Sequence, residues 1–247
     1  MAVLTEKREI VYMKKANKFL IAAAALFLLF AVFTVLVGTV DVRDWNYVTD
    51  GGEEAGANGS VTVGFWTLNT AVCKAVGTDG TWYKITEVLG IAAIFEAMCF
   101  AALGLYQLIK RKNVFRVDGV ILALGVVLIL LIAFYVLFDV VAVNYRPVLS
   151  DGKAEASYPS SHTMLAVTVF CSCAVAFNKI FKKKSLGAAV CAVSAVLVAV
   201  TVVGRLLSGM HWLTDIIGGL ILGASLIALF CGLSGIIGEK QKKAEDN

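Results

Sequence analysis

Long apolar stretches separated by short polar connections recur along this chain, each about 20 residues long, the length a helix needs to cross a bilayer core. Six can be drawn, at about 19–40, 88–109, 119–140, 160–180, 186–206 and 213–238. The second contains Glu96, and the fourth reaches full length only by taking in Ser160 and Lys179. No internal repeat stands out, and most connections are too short to hold another domain. The pattern predicts an all-α fold: a single membrane domain over 1–247, built as a bundle of six transmembrane helices. The longest connection, between Val40 and Lys84, is polar and glycine-rich from Asp50 to Glu54, then apolar from Val61 to Val72 around Phe65 and Trp66. Its apolar half reads either as an interfacial anchor at headgroup level or as a lid over a site.

Composition supports the membrane reading. Of 247 residues, 59% are hydrophobic and 16% charged, with a mean hydropathy of +0.83, values that exclude an ordinary water-soluble domain. The first stretch is full length and follows Lys7, Arg8, Lys14, Lys15 and Lys18, so it reads as a retained span rather than a cleaved leader.

A net charge of +4 would suggest an acidic partner such as nucleic acid in a soluble protein, but here the useful quantity is its distribution between loops. Sixteen of the 22 Lys and Arg lie in the N-terminal arm, between Lys110 and Arg116, between Lys179 and Lys184, and in the tail from Lys240 to Lys243. The alternate connections carry few: Arg43 and Lys74, then Arg146 and Lys153, then Arg205. The positive-inside rule therefore predicts cytoplasmic termini in a multi-pass plasma-membrane protein, with the first, third and fifth connections outside. Five of the six cysteines fall inside spans and only Cys73 lies in an outer connection, a pattern that predicts neither a disulfide framework nor a cysteine metal site.

The two histidines and two prolines all lie in the outer connections that follow the third and fifth spans. His211 and Asp215 are four residues apart, which puts both on one helix face. A carboxylate there can accept the imidazole N–H, fix its tautomer and leave the other nitrogen as a nucleophile. Arg146 and Arg205 carry planar donor forks suited to phosphate oxygens. Pro159-Ser160-Ser161-His162 has the composition of a helix start, whose free N–H groups and dipole favour an anion. His162 at that position is a candidate general acid, its imidazolium disfavoured by the helix end until a bound phosphate restores the proton.

These residues resemble the type 2 phosphatidic acid phosphatase superfamily of membrane lipid phosphatases, whose signatures are KxxxxxxRP, PSGH and SRxxxxxHxxxD in that order. Arg146-Pro147 resembles the end of the first, Pro159-Ser160-Ser161-His162 the second, and Arg205, His211 and Asp215 match the third. The resemblance implies a metal-independent phosphatase with no cofactor, acting on a membrane lipid phosphate or diphosphate. His211 would form a phosphohistidine, Asp215 orient it, and His162 protonate the leaving group. Arg146, Arg205, Ser160 and Ser161 would hold the phosphate. In bacteria the implied substrates are polyprenyl diphosphate and phosphatidylglycerol phosphate; a lipid phosphotransferase and a catalytically weak lipid-phosphate-binding protein are the alternatives.

Three positions depart from the pattern. Asp139 stands where the family has lysine, so it either orients an arginine or leaves the site one cation short. Gly204 replaces a serine, and Ser161 a glycine. Glu96 reads as a protonated or interhelix-bonded carboxyl. Gly219 and Gly223 read as a close-packing face.

Overall fold

The computed structural model describes residues 2–45, 61–149 and 154–246. The polar stretch from Asp50 to Glu54 and Lys153 lie outside the described residues, as do the side chains of Lys7 and Arg8. In chain order the elements are α1 (Ala2–Thr39), β1 (Arg43–Trp45), β2 (Val61–Val63), α2 (Trp66–Val76), α3 (Gly80–Arg111), a single 3-10 turn (Val114–Arg116), α4 (Gly119–Val140), α5 (Ser161–Phe181), α6 (Lys184–Leu207) and α7 (Leu213–Asp246). Six of the helices are long and apolar enough to cross a membrane: α1, α3, α4, α5, α6 and α7. The all-α expectation holds, with one small addition that hydropathy does not signal. β1 and β2 pair antiparallel, Asp44 opposite Thr62.

α3 begins at Gly80 rather than near Val88. Asp79 caps it, its carboxylate accepting the Thr81 N–H at 2.7 Å, so Trp82, Tyr83, Thr86 and Glu87 form an extra helical segment beyond the predicted span. α3 and α5 each end on a lysine in the left-handed conformation, Lys112 and Lys182, which closes the last turn where the chain reverses.

α5 and α7 occupy the middle of the bundle. α7 packs on α1, α4 and α5, while α5 packs on α3 and α6 as well. A Cβ at Gly219 would meet the Ser160 carbonyl at 2.9 Å, and one at Gly223 would meet Val167 Cγ1 at 2.7 Å. These glycines form the α7 face against which α5 lies, the close-packing role their spacing suggests. Glu96 is half-buried on α3 and makes no hydrogen bond or ion pair among the described residues.

The basic connections and the C-terminal tail gather at one end of the bundle, where Gln241 of α7 accepts the Gly119 N–H of α4. The opposite end is built by the α1–α3 segment, the α4–α5 connection and the α6–α7 connection. There Tyr158 is buried, its hydroxyl 2.9 Å from Thr34 Oγ1 and its ring stacked on Phe30. This clamps the residues preceding α5 to α1.

Candidate functional site

All the chemistry-bearing residues singled out above converge at this second end. Asp215 sits in the first turn of α7 and reaches back to accept the Trp212 N–H at 2.9 Å, the acid half of a capping box. Its backbone carbonyl accepts the Ser160 N–H at 3.0 Å, so the starts of α7 and α5 are tied together. Asn144 adds a third element: its amide lies 3.5 Å from Asp215 Oδ1, and its side-chain carbonyl accepts the Gly64 N–H.

His211 is 4% exposed. Its Nδ1 lies 3.1 Å from the Ser157 carbonyl and 3.6 Å from Asp215 Oδ2. The carbonyl is therefore the nearer acceptor, and Asp215, which the i,i+4 spacing nominated for that bond, lies beside the ring as a flanking charge. A carbonyl only accepts, so Nδ1 carries the ring proton and Nε2 keeps its lone pair. Nε2 is buried and has no hydrogen-bond partner among the described residues. Burial holds the His211 pKa below the ordinary histidine value; Asp215 opposes that shift, while Arg205 and Arg146 add to it.

His162 occupies the first turn of α5. Its Nδ1 is 2.7 Å from Arg205 Nη2 and its Nε2 is 3.2 Å from Glu87 Oε1. The same Glu87 oxygen accepts from Arg205 Nη1 at 3.1 Å, and Thr86 Oγ1 accepts from that nitrogen at 3.2 Å. The Tyr83 ring lies beneath the guanidinium, 5.5 Å from its carbon. Arg205 is thus fully buried in a cradle supplied by the early turns of α3.

Two glycines make this cradle possible. A Cβ at Gly204 would meet Thr86 Cγ2 at 2.7 Å and Trp82 Cε3 at 2.9 Å, and one at Gly90 would meet the His162 ring at 2.8 Å. The Gly204 departure therefore has a packing reason: serine there would push α3 off α6.

Arg146 pairs with Glu155 at 3.2 Å, on a connection pinned by the Tyr145–Ala156 bridge and by the Ser157 N–H donating to the Asn144 carbonyl. Asp139 is exposed and lines the same cavity as Arg146 and His211. The carboxylates paired with Arg146 and Arg205 are Glu155 and Glu87. Sequence reasoning singled out neither. Ser160 precedes α5 without capping it, and its buried Oγ has no partner among the described residues, nor does Arg205 Nε.

Two cavities meet here. One, of about 380 Å³, is lined by His211, Arg146, Asp139, Glu155 and Ser161. The other, of about 560 Å³, is lined by His162, Glu87, Arg146 and Ser161 and by apolar residues of α3, α4 and α5. Ile91, Ile94 and Ile132 in its wall are exposed, so it opens on the apolar flank of the bundle. Arg146, Glu155 and Ser161 line both cavities, which places them between the two histidines. A tetrahedral anion seated at this junction would have donors on one side, a lone-pair nitrogen on another and an apolar exit toward lipid.

The apolar half of the first connection is docked over this end. α2 carries the buried Asn69, whose amide donates to the Gly64 carbonyl at 2.8 Å and to Thr214 Oγ1 at 2.9 Å, and whose carbonyl accepts the Thr214 N–H. Asn69 thereby caps α7 from another element. Trp45 packs against both Trp66 and Trp212, and the Trp212 indole donates to the Tyr145 carbonyl at 2.6 Å.

Residues 141–235 match the family model of the PAP2 superfamily. No curated protein matches the chain in sequence. Among solved structures, the chain is similar to the first transmembrane PAP2 type phosphatidylglycerolphosphate phosphatase from Bacillus subtilis. That likeness is at 19% identity with a TM-score of 0.54, covering 84% of this chain and 93% of the other, and it speaks for a shared fold. The matched segment runs from the end of α4 into α7 and holds Arg146, His162, Arg205, His211 and Asp215, so the chain resembles the PAP2 superfamily over residues 141–235 and shares the fold of the Bacillus subtilis protein.

Proposed function

We propose that the protein is a lipid phosphate phosphatase whose site faces away from the cytoplasm. The observation that carries this reading is that His211 lines a cavity together with Arg146 and has a buried Nε2 with no hydrogen-bond partner among the described residues. The basic loops at the far end of the bundle favour the outward orientation.

In this mechanism the substrate phosphate binds at the junction of the two cavities, against Arg146, Ser160 and Ser161. Arg205 joins it by leaving His162 Nδ1, whereupon the His162 ring takes a second proton and becomes an acid. The His211 Nε2 lone pair attacks phosphorus, the bond to the lipid oxygen breaks, and His162 transfers a proton to that oxygen. Water then attacks the phosphohistidine, His162 takes the proton it loses, and inorganic phosphate leaves with His211 restored. Asp215 stabilises the positive charge that His211 acquires as it reacts.

The test is inorganic phosphate release by detergent-purified protein from lipid phosphates and diphosphates in excess EDTA, with His211→Ala run beside it. Release that vanishes in the variant supports the reading. Equal background in both, from folded protein, removes it.

A further inference from the structure

Among the described residues, Glu87 is the one carboxylate in contact with both His162 and Arg205, and it comes from α3, outside the family-matched segment. Its position bears on which phosphates the site admits. The role of Glu87 rests on the phosphatase reading above.

In-line displacement at phosphorus puts the attacking and leaving atoms on opposite sides. His211 lines the first cavity and His162 the second, with Ser161 and Arg146 shared between them. With His211 attacking, the leaving oxygen therefore points into the second cavity, toward His162. For a monophosphate ester that oxygen is bonded to carbon, and the rest of the lipid runs on along Ile91, Ile94, Leu131 and Leu165 toward the flank. For a diphosphate the leaving oxygen is bonded to a second phosphorus, so a second anionic group must sit beside His162.

That place faces the Glu87 carboxylate, 3.2 Å from His162 Nε2. Among the described residues, the two arginines near the site are already matched: Arg205 by Glu87 and Arg146 by Glu155. Asp139 in the first cavity adds a further negative group where a lysine would have added a positive one. Two phosphates would thus meet an excess of carboxylates, and like charges brought together repel most strongly where water is displaced. A single phosphate meets the same carboxylates with one anionic group fewer, and it is the group Arg205 can turn toward, away from Glu87.

We propose that Glu87 is a specificity-determining residue that restricts the enzyme to lipid monophosphates, by holding a negative charge where the second phosphate of a diphosphate would lie. Glu87 acts on the substrate's leaving side and not on the phosphoryl group transferred.

The experiment compares diacylglycerol phosphate with diacylglycerol diphosphate of identical acyl chains, so that only the second phosphate differs. Initial kcat/KM is measured for wild type, Glu87→Gln and Glu87→Ala, and the readout is the monophosphate-to-diphosphate ratio, which does not depend on the folded fraction. The expected wild-type ratio is at least about tenfold in favour of the monophosphate, falling by about tenfold in both variants. A diphosphate preference in the wild type, or a ratio that neither variant moves, overturns the proposal. Turnover of neither lipid by folded wild-type protein overturns the phosphatase reading, and the specificity role falls with it.

Discussion

His162 Nδ1 accepts a hydrogen bond from Arg205 Nη2 at 2.7 Å, and because a guanidinium has only donors, this one contact assigns the ring's tautomer. The remaining proton is on Nε2, directed at Glu87. In the resting arrangement His162 is therefore neutral and held from both sides, and in the proposed mechanism it becomes an acid only when Arg205 turns to a bound anion.

Arg205→Lys should lose about a hundredfold in kcat, since an ammonium cannot span Thr86, Glu87, His162 and a phosphate as the planar fork does. Steady-state kinetics on the preferred lipid, beside a thermal-unfolding comparison, checks this. A lysine variant with wild-type kcat would show that the fork is not used.

Gly204→Ser installs the residue the family pattern has, yet it should destabilise the protein. The new Cβ meets Thr86 and Trp82 at under 3 Å, and overpacking of this kind costs about 1–3 kcal/mol. Thermal unfolding in detergent should show a lower midpoint, with activity falling as the α3 cradle shifts.

The contrast between these two positions shows what the sequence discloses. Arg146, Ser160, Ser161, His162, Arg205, His211 and Asp215 are legible because they cluster in or beside two connections that span counting places at one end. Glu87 is not legible. A hydropathy window stops at the polar, aromatic turns from Gly80 to Glu87, although the helix itself continues through them under the Asp79 cap. Its one local signal is Gly90, a turn further on, which leaves room for the His162 ring. The Ser157 carbonyl that orients His211 is backbone, and no residue type announces it. Asn69 and Asn144 act across 145 and 71 positions of sequence separation to Thr214 and Asp215, distances over which spacing carries no information.

Asn69→Ala should cost about 1–3 kcal/mol, because the buried Thr214 N–H loses its partner. Hydrogen exchange should rise first in α2 and the opening turn of α7, while the opposite end of the bundle keeps its protection. Uniform protection throughout would show that α2 does not cap α7.

The pH profile follows from His211. Its nitrogen must be unprotonated to attack, and burial lowers its pKa, so the acid limb of kcat/KM should fall below about pH 6.5, the ordinary histidine value. Asp215 raises that pKa, so Asp215→Asn should move the limb further down even as kcat drops. The stability sign is the same. Below the ordinary value the unfolded chain binds a proton that folded His211 refuses, so stability falls as pH drops from there toward the lowered folded pKa. Denaturation midpoints measured between pH 5 and 8 test this direction.

The four tryptophans of the chain all lie at one end: Trp45 packs between Trp66 and Trp212, and Trp82 lies against Gly204 beside the Arg205 cradle. The protein's entire indole emission therefore originates around the candidate site, with none from the membrane interior or the basic end. Binding, loop release and α3 displacement all become readable as native fluorescence, without a label, and Trp45, whose ring lies 5.5 Å from Trp66 and 5.8 Å from Trp212, is close enough to exchange excitation with both.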